Sequence, residues 1–414
     1  MLWTIWLFLF PFRLSFQKRD PFSEISGFYG LMGPDVKMKT VPSLFDLFMA
    51  DGLVQGVFFD KGEILFMKKN VETEKRKQKS PFLNPFDISN TNIVAIDNSY
   101  YSFFEHNNPY HLDISFEERT LKTLQKKSVP GVRLFSGHTK YNPFLKRITT
   151  LDYNVINKEV HIYSLDSNFS LLSKYKIPFT YVPMVHDFYM MDKKTIVIDS
   201  PFEWNFYASS WKNMMRFSVN KSTFIYCIQE NNSFKKYKAD ESFFLFHYAY
   251  AREIKERDEI EIYAPLYESI DFSKIDICGR YRRIVLNKKT KKVRIERNDD
   301  LEKYSVDFPI VWEDKVILRH LDSDKKESNA FLICRDLKII DTISLRDNLS
   351  ICGEPTFLSI KEEPHLLFFC YDKKTCQNYI GLLHLYSKKL FTREISNTSL
   401  TIGFHSIFIP DKRK

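Results

Sequence analysis

Short apolar runs separated by Asp-, Lys- and Gly-bearing turns fill almost everything after Asp20, and this spacing limits the chain to an all-β fold. Gly56 to Phe66 has the pattern of a hairpin with Asp60-Lys61-Gly62 at its turn. Thr195 to Asp199, Ser222 to Ile228, Val316 to Leu318, Leu366 to Tyr371 and Tyr379 to Leu385 are similar strand-like runs. Lys288 to Lys292 falls between two such runs and is expected at a hairpin tip, and Glu74 to Lys79 is expected in a solvated loop. The only helix candidates are short, Thr120 to Lys127 and Ala251 to Glu256. Many strands without βαβ alternation point to a β-propeller or a large sandwich.

Composition narrows the function classes. The 414 residues are 44% hydrophobic and include 38 Phe and 22 Tyr, enough for a large packed core. The net charge of +9 comes mainly from Lys-rich turns, without the aromatic interleaving of a nucleic-acid surface, so no nucleic-acid partner is expected. The six cysteines contain no Cys-x-x-Cys pair and suit reduced, mostly buried thiols in a cytoplasmic protein. Leu2 to Phe10 is strongly apolar but too short to span a bilayer, which takes about 20 residues. Residues 1–20 are therefore expected to form either a membrane-interface anchor or a segment packed on the single domain, 21–414.

Four histidines lie in apolar settings: His138, His186, His247 and His405, three of them within strand-like runs. A buried, uncharged imidazole is a good ligand for a divalent transition metal, and four together would make an all-nitrogen iron site. Taken singly, such a residue is more often a hydrogen-bonded core histidine. The intervals of 48, 61 and 158 residues approximate one, one and three propeller blades of roughly 40–50 residues each. The other histidines (106, 111, 161, 320, 365 and 384) lack this context and read as structural or exposed.

The segments around the four histidines resemble the carotenoid oxygenase family. Ser136-Gly137-His138-Thr139-Lys140, Met184-Val185-His186-Asp187-Phe188, Phe244-Leu245-Phe246-His247 and Gly403-Phe404-His405-Ser406-Ile407-Phe408-Ile409-Pro410 match its motifs in order. So do Gly27 to Pro34, Asp51-Gly52-Leu53 and Gly353-Glu354-Pro355. The resemblance implies a seven-bladed β-propeller with Fe(II) on its axis, held by His138, His186, His247 and His405. It implies three carboxylates behind the imidazoles, mapped to Glu105, Asp271 and Glu354. Asp271 stands where the family has Glu, Leu31 replaces a usual Arg, and the short chain implies a reduced helical and loop cap. The implied activity is oxidative cleavage of a carbon–carbon double bond in a carotenoid or apocarotenoid by O2, with carbonyl products. The alternatives are a retinoid isomerase or ester-cleaving enzyme on the same iron, and a catalytically inactive lipid-binding propeller. Family fold does not separate these.

Overall fold

A computed structural model describes residues 20–36, 43–78, 85–191, 194–275, 278–321, 328–395 and 400–413. Seven four-stranded antiparallel sheets succeed one another along the chain as the blades of a propeller. Blade 1 comprises Ser406–Pro410, Gly27–Pro34, Gly52–Asp60 and Glu63–Asn70. Blade 2 runs from Asn92–Ile96 through Ser99–Phe103 and Tyr110–Ser115 to Thr120–Lys126. Blade 3 is Lys140–Asn142, Arg147–Asn154, Glu159–Asp166 and Leu171–Pro178. Blade 4 is Tyr189–Met191, Lys194–Asp199, Phe224–Gln229 and Phe234–Lys238. Blade 5 is Tyr250–Ile254, Glu259–Leu266, Arg280–Asn287 and Val293–Glu296. Blade 6 is Val306–Trp312, Lys315–His320, Ala330–Arg335 and Lys338–Ser344, and blade 7 is Leu349–Ile360, Glu363–Asp372, Gln377–His384 and Leu390–Ile395.

The burial pattern explains the composition. A middle strand is covered on both faces by neighbouring blades, so it reads as a continuous apolar run; Leu366 to Cys370 is wholly buried. An outer strand keeps one face wet and carries Lys, as in Phe234–Lys238, which also blunts the sheet edge. Apolar clusters fill each seam between blades. Ile196 and Ile225 of blade 4 meet Ile262 and Ile284 of blade 5, for example, and Leu367 and Phe369 of blade 7 meet Tyr29 and Val57 of blade 1. The core is thus a ring of seams, which leaves the axis free for polar groups.

The ring is closed by the chain's two ends. Ser406–Pro410 pairs antiparallel with Gly27–Pro34, from Leu31 opposite Ser406 to Gly27 opposite Pro410. Backbone bonds continue the seam, with Met32 N donating to His405 O (2.9 Å) and Phe404 N to Met32 O (2.7 Å).

Several local expectations change. Thr120–Lys126 is the outer strand of blade 2, and Ala251 belongs to the strand Tyr250–Ile254, with only Lys255–Arg257 forming a helical turn. Strands exposed on one face need few apolar residues, and sparse apolar spacing mimics a short helix. Conversely, Glu74–Gln78 is a short helix, its first turn capped by Thr73 Oγ1 accepting from Arg76 N. The hairpins around Lys61-Gly62 and Lys288 to Lys292 form as expected, with Lys61 and Gly62 at positive φ. All six cysteines are free. The apolar segment 2–10 lies outside the described residues.

Leu31 packs where blades 7 and 1 meet. A Cβ on Gly403 would lie 2.2 Å from Leu31 Cδ2 and 2.4 Å from its Cγ, so only glycine permits this approach. Overpacking of this kind costs about 1–3 kcal/mol. Gly403→Ala is therefore expected to destabilise by that amount, and Leu31→Ala by about 2–5 kcal/mol. In the double variant the two losses should fall short of additivity by about 1 kcal/mol or more, measured by chemical denaturation; strict additivity would show that the contact does not set the approach.

Candidate metal centre

Four blades each present a histidine in the segment leading into the innermost strand. His138 precedes Lys140–Asn142 of blade 3, His186 precedes Tyr189–Met191 of blade 4, and His247 precedes Tyr250–Ile254 of blade 5. His405 immediately precedes the closing strand of blade 1. None lies within a strand, contrary to the expectation for three of them: each side chain leaves the backbone where ladder pairing has not begun, and so reaches the axis. The sequence scatters these residues over two-thirds of the chain, yet one ring nitrogen from each falls within 4.8 Å of the other three.

The other three blades supply carboxylates. Glu105 follows the second strand of blade 2, where His106 turns the chain at φ 61°. The buried Oε1 of Glu105, which has no other partner, meets His186 Nδ1. Asp307 at the start of the inner strand of blade 6 takes His247 Nδ1 at 2.8 Å, and its other oxygen accepts from Tyr267 OH at 2.5 Å. Glu354 in blade 7 takes His405 Nδ1 at 3.2 Å and Ser406 N at 3.0 Å. Asp307 and Glu354 both sit at breaks in strand register. One break is marked by Phe308 at φ 53° and the other by Gly353 at φ 77°. The bulges turn these carboxylates toward the axis instead of into a seam.

Asp271 is not part of this arrangement. It is half exposed in the loop between the second and third strands of blade 5, where Oδ1 accepts from Ser273 N (2.9 Å) and Ser273 Oγ (2.6 Å) and Oδ2 pairs with Lys274. Its place behind His247 belongs to Asp307, which sequence reasoning missed. Pro309 two residues on, inside a strand-like run, was the available signal for a bulge.

The carboxylates fix the chemistry of the rings. An imidazole that donates from Nδ1 presents an unprotonated Nε2. His247 Nε2 and His405 Nε2 lie 3.2 Å apart, and both rings have Nδ1 engaged. With both rings neutral, neither nitrogen has a proton to offer the other, and two lone pairs would face each other across a gap that a cation would fill. His138 Nε2 and His186 Nε2 are 3.0 Å apart. Metal–nitrogen bonds of about 2.1 Å, as in zinc–histidine sites, would place adjacent nitrogens about 3 Å apart at right angles. The residues therefore fit a divalent ion bound by imidazole alone.

Burial and mutual charge disfavour protonation of two of the four rings, His138 and His405. His138 is held well below the ordinary histidine range, first by burial and then by His405, His186 and His247. His405 is lowered by burial despite Glu354. Burial also lowers His247, but Asp307 outweighs it and the net shift is upward, while Asp307 is drawn below the usual carboxylate range despite its own burial. His138 has the weakest support: Asp187 Oδ1 is 3.7 Å from its Nδ1 and is already taken by Lys140 Nζ (2.8 Å) and Phe188 N (2.7 Å).

Above the cluster is a cavity of about 220 Å³ with a mainly apolar wall that includes Leu44, Leu47, Phe48, Phe246, Phe308, Ile402 and Phe404. Its cover includes a short helix and part of the 271–275 loop. Helix α1 (Leu44–Phe48) is capped by Ser43 and tied to the 271–275 loop by Leu44 N to Lys274 O and Phe45 N to Phe272 O, both 2.9 Å. Lys212 Nζ, in the connection of a hairpin inserted in blade 4 (Phe202–Trp204 and Met215–Phe217), reaches Asp46 at 2.6 Å. Phe48 projects from the helix to within 6.4 Å of the His186 ring and 5.9 Å of Phe404.

Comparison with known proteins gives a consistent picture. The family model described as retinal pigment epithelial membrane protein matches residues 23–410. No curated protein sequence matches the chain. Among solved structures, a Glu150Gln mutant of Synechocystis apocarotenoid oxygenase is similar at a TM-score of 0.76 and 17% identity, covering 94% of this chain and 93% of its own. The lignostilbene dioxygenase of Pseudomonas brassicacearum gives 0.77 at 15% identity over the same shares. A cobalt-substituted form of the Synechocystis enzyme gives 0.75 at 17% identity, again over 94% and 93%.

The two aspartates make opposite predictions. Asp307→Asn should weaken metal binding by about 10–100-fold in a chelator competition. Asp271→Asn should leave it unchanged, because its carboxylate shapes only the covering loop. Equal losses in both would remove the assignment of Asp307.

Proposed function

The chain belongs to the carotenoid oxygenase family, and from that membership we propose that it is a non-haem iron(II) dioxygenase acting on a carotenoid or apocarotenoid. The observation that carries this reading is the set of inward-facing Nε2 atoms at the floor of an apolar cavity, each of three Nδ1 atoms engaged by a carboxylate from another blade. His138, His186, His247 and His405 would hold the ion, and Glu105, Asp307 and Glu354 would orient it indirectly through the rings.

Bound iron(II) would supply the electrons and open coordination that let a double bond react with O2. The protein's own contribution is binding, orientation and dryness. The cavity wall excludes water and fixes which bond of the polyene lies over the four histidines. Phe308 stacks on His247 with ring centroids 5.2 Å apart, and Phe48 and Phe246 approach His186 at 6.4 and 5.1 Å, so aromatic faces border the place where charge would develop on the polyene. Cleavage of one carbon–carbon double bond consumes one O2 and yields two carbonyl groups, each with one oxygen atom.

The test is product analysis after anaerobic iron loading, using a panel of carotenoids and apocarotenals under ¹⁸O2. Aldehyde or ketone products with one labelled oxygen in each half are expected. An isomerised alcohol without label would move the assignment to a retinoid isomerase, and a protein that takes up far less than one iron per chain would be a non-catalytic lipid-binding propeller.

No helix among the described residues is long and apolar enough to cross a membrane. We assign residues 1–20 to a peripheral membrane-interface anchor of a cytoplasmic enzyme, ahead of the single domain 21–414. Deleting residues 2–12 should lower association with liposomes; unchanged partitioning would remove the anchor.

A further inference from the structure

One charged side chain in the cavity wall is not used by any of the chemistry above. Arg319, in the second strand of blade 6, borders the cavity among apolar residues. Its Nε donates to Ser328 Oγ at 2.7 Å, one Nη to Gly353 O at 2.7 Å and the other to Ile351 O at 2.9 Å. A guanidinium has five N–H bonds, so two remain. Its three partners are neutral, and among the described residues no carboxylate forms an ion pair with it. The nearby Asp307 and Glu354 are committed to His247 and His405. Burial draws the Arg319 pKa down to about 10, the mark of a cation removed from water without an adjacent counter-ion. Phe308 lies under the guanidinium at 5.3 Å and stacks on His247 at 5.2 Å, so Arg319 is one ring away from the histidine cluster.

We infer that Arg319 is a specificity-determining residue that binds an uncharged oxygen acceptor, a carbonyl or hydroxyl, on the substrate. Two arguments converge. The first is hydrogen bonding. In the free protein the spare N–H bonds have no described protein partner and are left to water. A hydrocarbon entering the cavity would displace that water and leave them unpaired, whereas an oxygen-bearing substrate replaces it. The second is charge. Glu105, Asp307 and Glu354 bring three negative charges, a divalent ion two positive ones, and Arg319 the third, with Asp187 balanced by Lys140. The loaded site is neutral, and a carboxylate-bearing substrate would upset that balance in an apolar cavity. Arg319 also fastens the carbonyls of the bulge that presents Glu354, but that role employs three N–H bonds and does not account for the other two.

The inference rests on the oxygenase reading and is tested apart from turnover. Four polyenes of equal chain length, ending in hydrocarbon, alcohol, aldehyde or carboxylate, are titrated anaerobically into the iron-loaded protein, with binding followed by tryptophan quenching. The alcohol and aldehyde should bind roughly tenfold or more tightly than the hydrocarbon, and the acid less tightly than the aldehyde. Arg319→Met should flatten the series, and Arg319→Lys should restore part of it. Should Arg319→Met lose iron or fold, the wild-type series alone decides. A hydrocarbon bound as tightly as the aldehyde, or an acid bound best, would overturn the inference while leaving the oxygenase reading intact. Failure to bind iron or any polyene would overturn both.

Discussion

Three hydrogen-bonding contacts on the outer edges of imidazole rings decide what the centre of this propeller can be. With Glu105, Asp307 and Glu354 engaged at Nδ1, the rings of His186, His247 and His405 have one tautomer available, and each turns an unprotonated nitrogen to the axis. Removing any one carboxylate would release a ring to carry its proton inward, where it could bond a neighbouring histidine and close the gap. Seven blades divide the work, four delivering a histidine and three a carboxylate. Each carboxylate reaches a histidine of a different blade, so the ring's circumference is itself part of the site.

Fold closure and site assembly are likewise the same event. The strand Ser406–Pro410 completes blade 1, His405 immediately precedes it, and Ser406 N donates to the carboxylate of Glu354 that also holds His405. Gly353 at positive φ and Gly403 beneath Leu31 permit the approach of the two backbones. A chain that failed to close would lose one histidine and the support of one carboxylate together. Stability at this seam is thus inseparable from the geometry at the axis.

The strands and four histidines were legible because their signals are local: apolar runs between Asp- and Lys-bearing turns, and motif residues that keep their neighbours. Glu354 was legible for the same reason, since it stands in the motif Gly353-Glu354-Pro355. Asp307 was not, because its role depends on how blade 6 packs beside blade 5, and locally only Pro309 marks its bulge. Asp271 has a similar local sequence but falls in the loop that covers the site, and proximity along the chain to His247 counts for nothing there. The helix candidate at Thr120 failed because an outer strand, wet on one face, carries the sparse apolar spacing of an amphipathic helix, and the one at Ala251 because a half-buried inner strand runs there into a single helical turn. Arg319 carried no motif at all; its meaning comes from what surrounds it.

The charge arrangement explains how so polar a centre persists inside an apolar ring. Three carboxylates gathered within one propeller hub repel one another, and the inward nitrogens of the three neutral rings they hold do the same at shorter range. Protein hydrogen bonds settle part of this, through Tyr267 to Asp307 and Ser406 to Glu354. Arg319 settles part of the charge. What remains uncompensated is two negative charges and, with both rings neutral, the facing lone pairs of His247 and His405. Buried charge of this kind is strongly destabilising unless paired. A divalent cation would satisfy both deficits at once, so such an ion would belong to the packing of the hub as much as to its chemistry, and it would leave a neutral floor beneath the apolar cover of Phe48, Phe246 and Phe404.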